Sequence, residues 1–149
     1  MKRALTVENI INKKFKVMPF EREWKDAIGA SPEMTGVWII WGNSGNGKTR
    51  FALALAKYLT NFGKVAYDTL EEGARMSFAK ALRDSDMQKV SKRFLVLDRE
   101  TPEELEVRLK RRKSPDIILI DSFQFAGLNK TKYIKFKERF ADKLIIFIS

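Results

Sequence analysis

Residues 37–59 read VWIIWGNSGNGKTRFALALAKYL. A bulky apolar run stops at Trp41, eight residues with three glycines follow, and apolar residues resume at Phe51. The first run has the length of a buried strand and the second that of a helix, so the spacing predicts strand, loop and helix in that order. Gly42 to Thr49, GNSGNGKT, meets every fixed position of G-x-x-x-x-G-K-[ST]. Gly42, Gly45 and Gly47 let the backbone reach positive φ and approach an anion closely. The amides of Gly42, Asn43, Ser44, Gly45, Asn46, Gly47, Lys48, Thr49 and Arg50 then converge on a phosphate, reinforced by the start of the helix. Lys48 neutralises β- and γ-phosphate charge, and Thr49 offers a hydroxyl to Mg²⁺. The ligand expected from these residues is a nucleotide, its phosphates on the loop together with Mg²⁺. The helix after the loop is apolar almost all round and is expected to be buried, with Phe51 and Phe62 in the core.

Outward from this stretch, strand-like runs alternate with helical segments. The strands are expected at 37–41, 64–70, 93–98, 116–121 and 143–149, and the helices between them at 48–62, 72–84, 102–112 and 130–141. Two short helices, 7–16 and 20–28, precede them, the second stopped by Gly29. Gly63 stands where a left-handed helix cap is wanted. Thr101, Pro102 and Glu104 form a capping box with proline at the first helical position. Continuous apolar strands separated by helices imply a parallel sheet covered on both faces. The fold class is therefore α/β, a three-layer P-loop NTPase with a five-stranded, mainly parallel sheet. Such sheets bind ligands beyond the carboxyl ends of their strands, and every polar signal in this chain falls there.

The 149 residues suit one domain, with 1–30 as a helical extension and 36–149 as the core. No run of eighteen apolar residues marks a membrane span and no signal peptide opens the chain, so the cytoplasm is the expected location. There is no cysteine and no histidine. That excludes disulfides, thiolate or histidine-assisted nucleophiles and the usual zinc sites. Carboxylates, lysines, hydroxyls, amides and a carboxylate-bound Mg²⁺ remain. The net charge of +10 favours polyanionic partners or merely maintains solubility.

Four apolar residues, Ile117 to Ile120, deliver Asp121 to the end of a buried strand. A desolvated carboxylate there needs a partner, and Mg²⁺ or a helix start would supply one. Strand 64–70 leads into Glu71 and Glu72, candidates to orient a water or to complement a helix dipole. Asp68 is a third acid, short of the strand end.

GNSGNGKTRFALALA, GKVAYDTLEEGARMSFAKAL and LDRETPEELEVRLKRRKSPDIILIDSFQFAG together resemble the RecA-like ATPase core. The branch they look like contains bacterial replicative helicases and the RadA repair ATPase. The resemblance runs from about Gly36 to Ser149. It implies Glu71 as catalytic glutamate, with Glu72 the lesser candidate, Asp121 as the metal-organising acid and Gln124 as a sensor of the γ-phosphate. The family carries further strands and a second DNA-binding loop after the segment matching 143–149, so the resemblance implies a truncated or abbreviated core. In such homo-oligomers the neighbouring subunit's arginine finger comes from that missing region, and none is assigned.

The family's loop after Asp121 helps contact DNA. In this chain Lys130, Lys132, Lys135, Lys137 and Arg139 are interleaved with Phe125, Tyr133 and Phe136. Cations and aromatics together suit single- or double-stranded DNA. Ile134, Phe136 and Phe140 also fit the core side of an amphipathic helix. The leading expectation is a Mg²⁺-dependent ATPase in DNA replication, recombination or repair. A nucleotide-gated regulatory or loader module is the alternative. A small-molecule kinase is disfavoured, because no arginine-rich lid is seen.

Overall fold

The structure is a computed structural model and describes residues 2–41, 46–122 and 127–149. The chain forms two compact units, Met1–Met34 and Thr35–Ser149.

The first unit holds α1 (Val7–Ile11) and α2 (Arg22–Ala27), both shorter than the sequence pattern suggests. Thr6 and Asn9 cap α1 reciprocally at 3.0 Å, but the helix buries nothing, so no packing extends it past Ile11. Phe20, expected in the second helix, instead donates its N–H to Ala30 O at 2.8 Å. Met18 and Met34 make similar bonds to Pro32 and Lys16, giving a short antiparallel pairing around α2. Gly29 ends the helix region with a φ of 143°.

The second unit is built on five parallel strands: β1 (Gly36–Ile40), β2 (Val65–Thr69), β3 (Phe94–Leu97), β4 (Ile117–Asp121) and β5 (Leu144–Ile148). Their order across the sheet is β1-β5-β4-β2-β3. The helices are α3 (Asn46–Leu59), α4 (Met76–Asp84), α5 (Pro102–Leu109) and α6 (Lys130–Arg139), with a 3₁₀ turn at Met87–Val90 that has no counterpart in the sequence pattern.

Strand alternation separates the two faces. Ala66, Ile118, Ile120, Ile145 and Phe147 pack with Leu105 and Leu109 of α5 and with Phe136 and Phe140 around α6. On the other face Tyr67 stacks on Phe78 of α4, its ring centroid 5.4 Å away. Helices on both faces make a three-layer α/β P-loop NTPase of RecA-like architecture. β2, β4 and β5 are almost wholly buried, which is why β4 and β5 read as apolar runs; β2 buries Asp68 and Thr69 as well.

Several boundaries differ for identifiable reasons. α3 begins inside the glycine-rich segment and has an outer face: Phe51, expected in the core, is 41% exposed. Leu53, Ala56 and Leu59 do face inward. Gly63 does not take positive φ, because its N–H reaches back to Leu59 O at 3.3 Å without it. The capping box at Thr101 and Glu104 is present, both bonds at 3.2 Å. Lys143 lies before β5 and is buried, its ammonium satisfied by Ser114 Oγ and Pro115 O.

Candidate functional site

The strand order fixes which loops meet. Walking along the carboxyl edge, β1 feeds the glycine-rich segment, β5 ends at Ser149, β4 ends at Asp121 and β2 runs into Leu70–Gly73. Adjacent strands lie about 5 Å apart, so Asp121 stands about 10 Å from the end of β1 and one spacing from the β2 turn. Gly42, Asn43, Ser44, Gly45 and Gln124 lie outside the described residues.

Lys48, in the first turn of α3, sends its ammonium across to the Ser149 carbonyl. Ser149 N–H in turn bonds Ile40 O at 2.8 Å, so the ends of β1 and β5 and the start of α3 are tied together. Thr49 is half-buried and lines a cleft of about 160 Å³ with Glu72, Ser77, Lys80 and Asp84. Gly47 has open space around it. Arg50 points away toward α4, where it pairs with Asp84 at 3.4 Å.

Asp121 sits on the α4 face of the sheet. Its Oδ2 accepts the Tyr67 hydroxyl at 2.6 Å. Burial pushes the Asp121 carboxyl above its usual range; the Tyr67 bond opposes this, Glu71 adds to it, Lys48 opposes it and Glu72 adds again. Those four groups are therefore near enough to act on one carboxylate. Burial, then the neighbouring Asp121 charge, pushes the Tyr67 phenol up, so it remains a donor. Sequence reasoning missed Tyr67, which reads as one more bulky residue in an apolar strand.

Glu71 is two residues past β2. The Leu70 and Glu71 N–H groups both donate to the Asp121 carbonyl, at 2.6 and 3.1 Å. Glu71 is exposed, whereas Glu72 turns into the cleft beside Thr49. The two acids thus divide two features: Glu72 borders the cleft, and Glu71 is bonded through its N–H to the Asp121 carbonyl.

Among the described residues no three acidic side chains gather into a ready-made cation cage. Mg²⁺ uses one or two protein oxygens together with phosphate and water. One observation fits the ion: Ser122 Oγ, next to Asp121, is buried without a hydrogen-bond partner among the described residues. Thr49 and Asp121 are the residues that would hold it.

Asp68 is not at this site. It lies on the opposite face of β2, fully buried, with Oδ1 accepting the Glu100 N–H at 2.9 Å and Oδ2 without a hydrogen-bond partner among the described residues. Desolvation raises its carboxyl to about 7; the Glu100 N–H opposes this, Glu100 and Glu104 charges add to it, and Arg108 opposes it. A folded-state value above the unfolded one means stability that is complete below pH 4 and lost as pH rises through about 7. The loss is on the order of a few kcal/mol. Asp68→Asn is expected to flatten the fall in melting temperature between pH 5 and 8; an unchanged slope in a thermal denaturation series would contradict it.

The α6 cations are partly committed within the fold. Arg139 pairs with Glu106 at 2.7 Å and Lys132 with Glu103 at 3.9 Å, both partners on α5. Phe136 is buried and Tyr133 stacks on Phe147 at 5.9 Å. Ile134, expected on the core side, is 42% exposed. Phe125 lies outside the described residues. Among the described residues no helix is long and apolar enough to cross a membrane.

Fold and strand-edge geometry thus define a P-loop NTPase core of the RecA-like kind. Among solved structures the chain is similar to the flagellar accessory protein FlaH from Methanocaldococcus jannaschii, with a TM-score of 0.66 and 19% identity over 91% of this chain and 70% of that one. At that identity the likeness is one of fold. No protein-family model matches the chain, and no curated relative matches it.

Proposed function

We propose that the chain is a cytoplasmic Mg²⁺-dependent ATPase whose core belongs with the RadA and replicative-helicase branch of RecA-like proteins. The observation that carries this is that Lys48 at the start of α3, Asp121 at the end of β4 and Glu71 just past β2 come to one edge of the sheet, with the Glu71 N–H bonded to the Asp121 carbonyl and the Glu71 and Lys48 charges both acting on the Asp121 carboxyl. ATP would lie with its phosphates on the 42–50 segment. Lys48 would exchange the Ser149 carbonyl for β- and γ-phosphate oxygens and stabilise charge as the γ-phosphoryl group leaves. Thr49 and Asp121 would hold Mg²⁺, which when bound would supply neutralisation of phosphate charge. Glu71 would take a proton from the attacking water and orient it in line with the leaving oxygen. Gln124 would read the γ-phosphate from the segment after β4.

The finer role we propose is a DNA transaction, supported by the +10 charge and by Lys130, Lys135 and Lys137 on α6, none ion-paired among the described residues. A second reading, a nucleotide-gated regulatory or loader module, is favoured by the burial of Phe136 and the stacking of Tyr133, which leave those aromatics unavailable to bases. The name of FlaH, an accessory protein, is compatible with that second reading. An ATPase assay with and without single-stranded DNA separates them. Stimulation of several-fold, falling steeply with salt, supports the DNA role. ATP binding and turnover without a DNA response supports the regulatory one. Phosphorylation of an added metabolite would replace both with a kinase.

A further inference from the structure

The turn that carries Glu71 is fastened from two sides, and only one of them belongs to the site described above. From β4, the Asp121 carbonyl takes the Leu70 and Glu71 amides. Thr69 takes the Gly73 N–H through both its carbonyl and its hydroxyl, each at 3.1 Å. From the far side comes Arg99, in the loop between β3 and α5. Its Nη2 donates to the carbonyls of Glu71 at 3.2 Å and Glu72 at 3.3 Å. Its neighbour Asp98 accepts the Ala74 N–H at 3.0 Å.

Two backbone features make this approach possible. Gly73 has a φ of 75°, and a Cβ built there would lie 2.7 Å from Arg99 Nε. The absent side chain is the space the guanidinium occupies. Arg99 itself has a φ of 54°, in the left-handed region that non-glycine residues seldom enter. Such a conformation persists where the surroundings over-determine it, and it clusters at working sites. Both bonds come from the one nitrogen, Nη2, whose two N–H groups serve two successive carbonyls.

We infer that Arg99 is a positioning residue for Glu71: it fixes the Glu71–Glu72 peptide and the next one, Glu72–Gly73, and so sets where the Glu71 carboxylate stands relative to Asp121. Arg99 touches neither phosphate nor water in this role. Its effect falls on turnover, with the binding of ATP left to the 42–50 segment. The inference rests on the hydrolytic reading with Glu71 as base.

The test is single-turnover phosphate release and ATP affinity for wild type, Arg99→Ala, Arg99→Lys and Arg99→Ala combined with Glu71→Gln, with melting temperature as a folding control. Misplacing a catalytic group by a fraction of an ångström lowers rate with little effect on binding. Arg99→Ala is expected to lower the rate about tenfold with ATP affinity within about twofold of wild type. Arg99→Lys, which keeps a cationic donor on a shorter and differently shaped side chain, is expected to fall between the two, and it serves if the alanine variant fails to fold. In the Glu71→Gln background, Arg99→Ala is expected to add no further loss. A wild-type rate in Arg99→Ala, an equal loss of rate and affinity, or a full additional loss in the double variant would overturn the inference. A wild type that binds ATP without turnover would instead sink the hydrolytic reading, and this inference with it.

Discussion

Lys48→Ala is expected to raise the dissociation constant for Mg²⁺-ATP by about two orders of magnitude, near 3 kcal/mol, and to remove measurable turnover. Lys48 is the one side chain of the glycine-rich motif that brings a full positive charge to the β- and γ-phosphates, and charge-assisted bonds are the strong ones. The fold should survive the substitution. Without ligand the ammonium makes one half-buried contact, to the Ser149 carbonyl, worth about 1 kcal/mol. Calorimetric titration with ATP measures the affinity, and thermal denaturation confirms that the variant is folded. Unchanged affinity would mean that the phosphates do not lie on this loop.

The second large effect concerns the acid. Glu71→Gln keeps the size and backbone of the turn while removing the proton acceptor. Turnover is expected to fall by about 10²–10⁴-fold, the usual worth of a positioned base, with ATP affinity within about twofold. Glu72→Gln is the control, because Glu72 borders the cleft beside Thr49. The account expects it to change rate far less, since Glu71 is the acid whose N–H is bonded to the Asp121 carbonyl. Steady-state kinetics on both variants decides between them. A large loss in Glu72→Gln with none in Glu71→Gln would move the base by one residue.

Much of this architecture is legible in the amino-acid sequence because its strands are buried on both faces. Runs such as Ile117–Ile120 and Leu144–Ile148 have no polar alternation to obscure them, and each delivers its last residue to the same sheet edge. The capping box at Thr101 and Glu104 is local chemistry and survives folding unchanged. What is not legible depends on partners distant in the chain. Tyr67 resembles any core aromatic until β4 places Asp121 beside its hydroxyl. Asp68 and Tyr67 are adjacent in sequence, yet strand alternation sends them to opposite faces, one buried among apolar residues and one at the candidate site. The outward face of α3 escapes the hydrophobic pattern, because Phe51 and Ala54 are apolar residues on its solvent side. The α6 segment illustrates the converse. Its alternating cations and aromatics suggest a nucleic-acid strip, but Phe136 is core and Arg139 and Lys132 answer glutamates of α5.

The central claim is that a phosphate-binding loop and two strand-end acids form one hydrolytic site. Its most direct measurement is phosphate release from γ-labelled ATP under single-turnover conditions, followed with and without Mg²⁺ on the wild-type chain. The account predicts that bound ATP is converted to ADP and phosphate only with Mg²⁺ present. ATP that binds and stays intact in the presence of Mg²⁺ would contradict it.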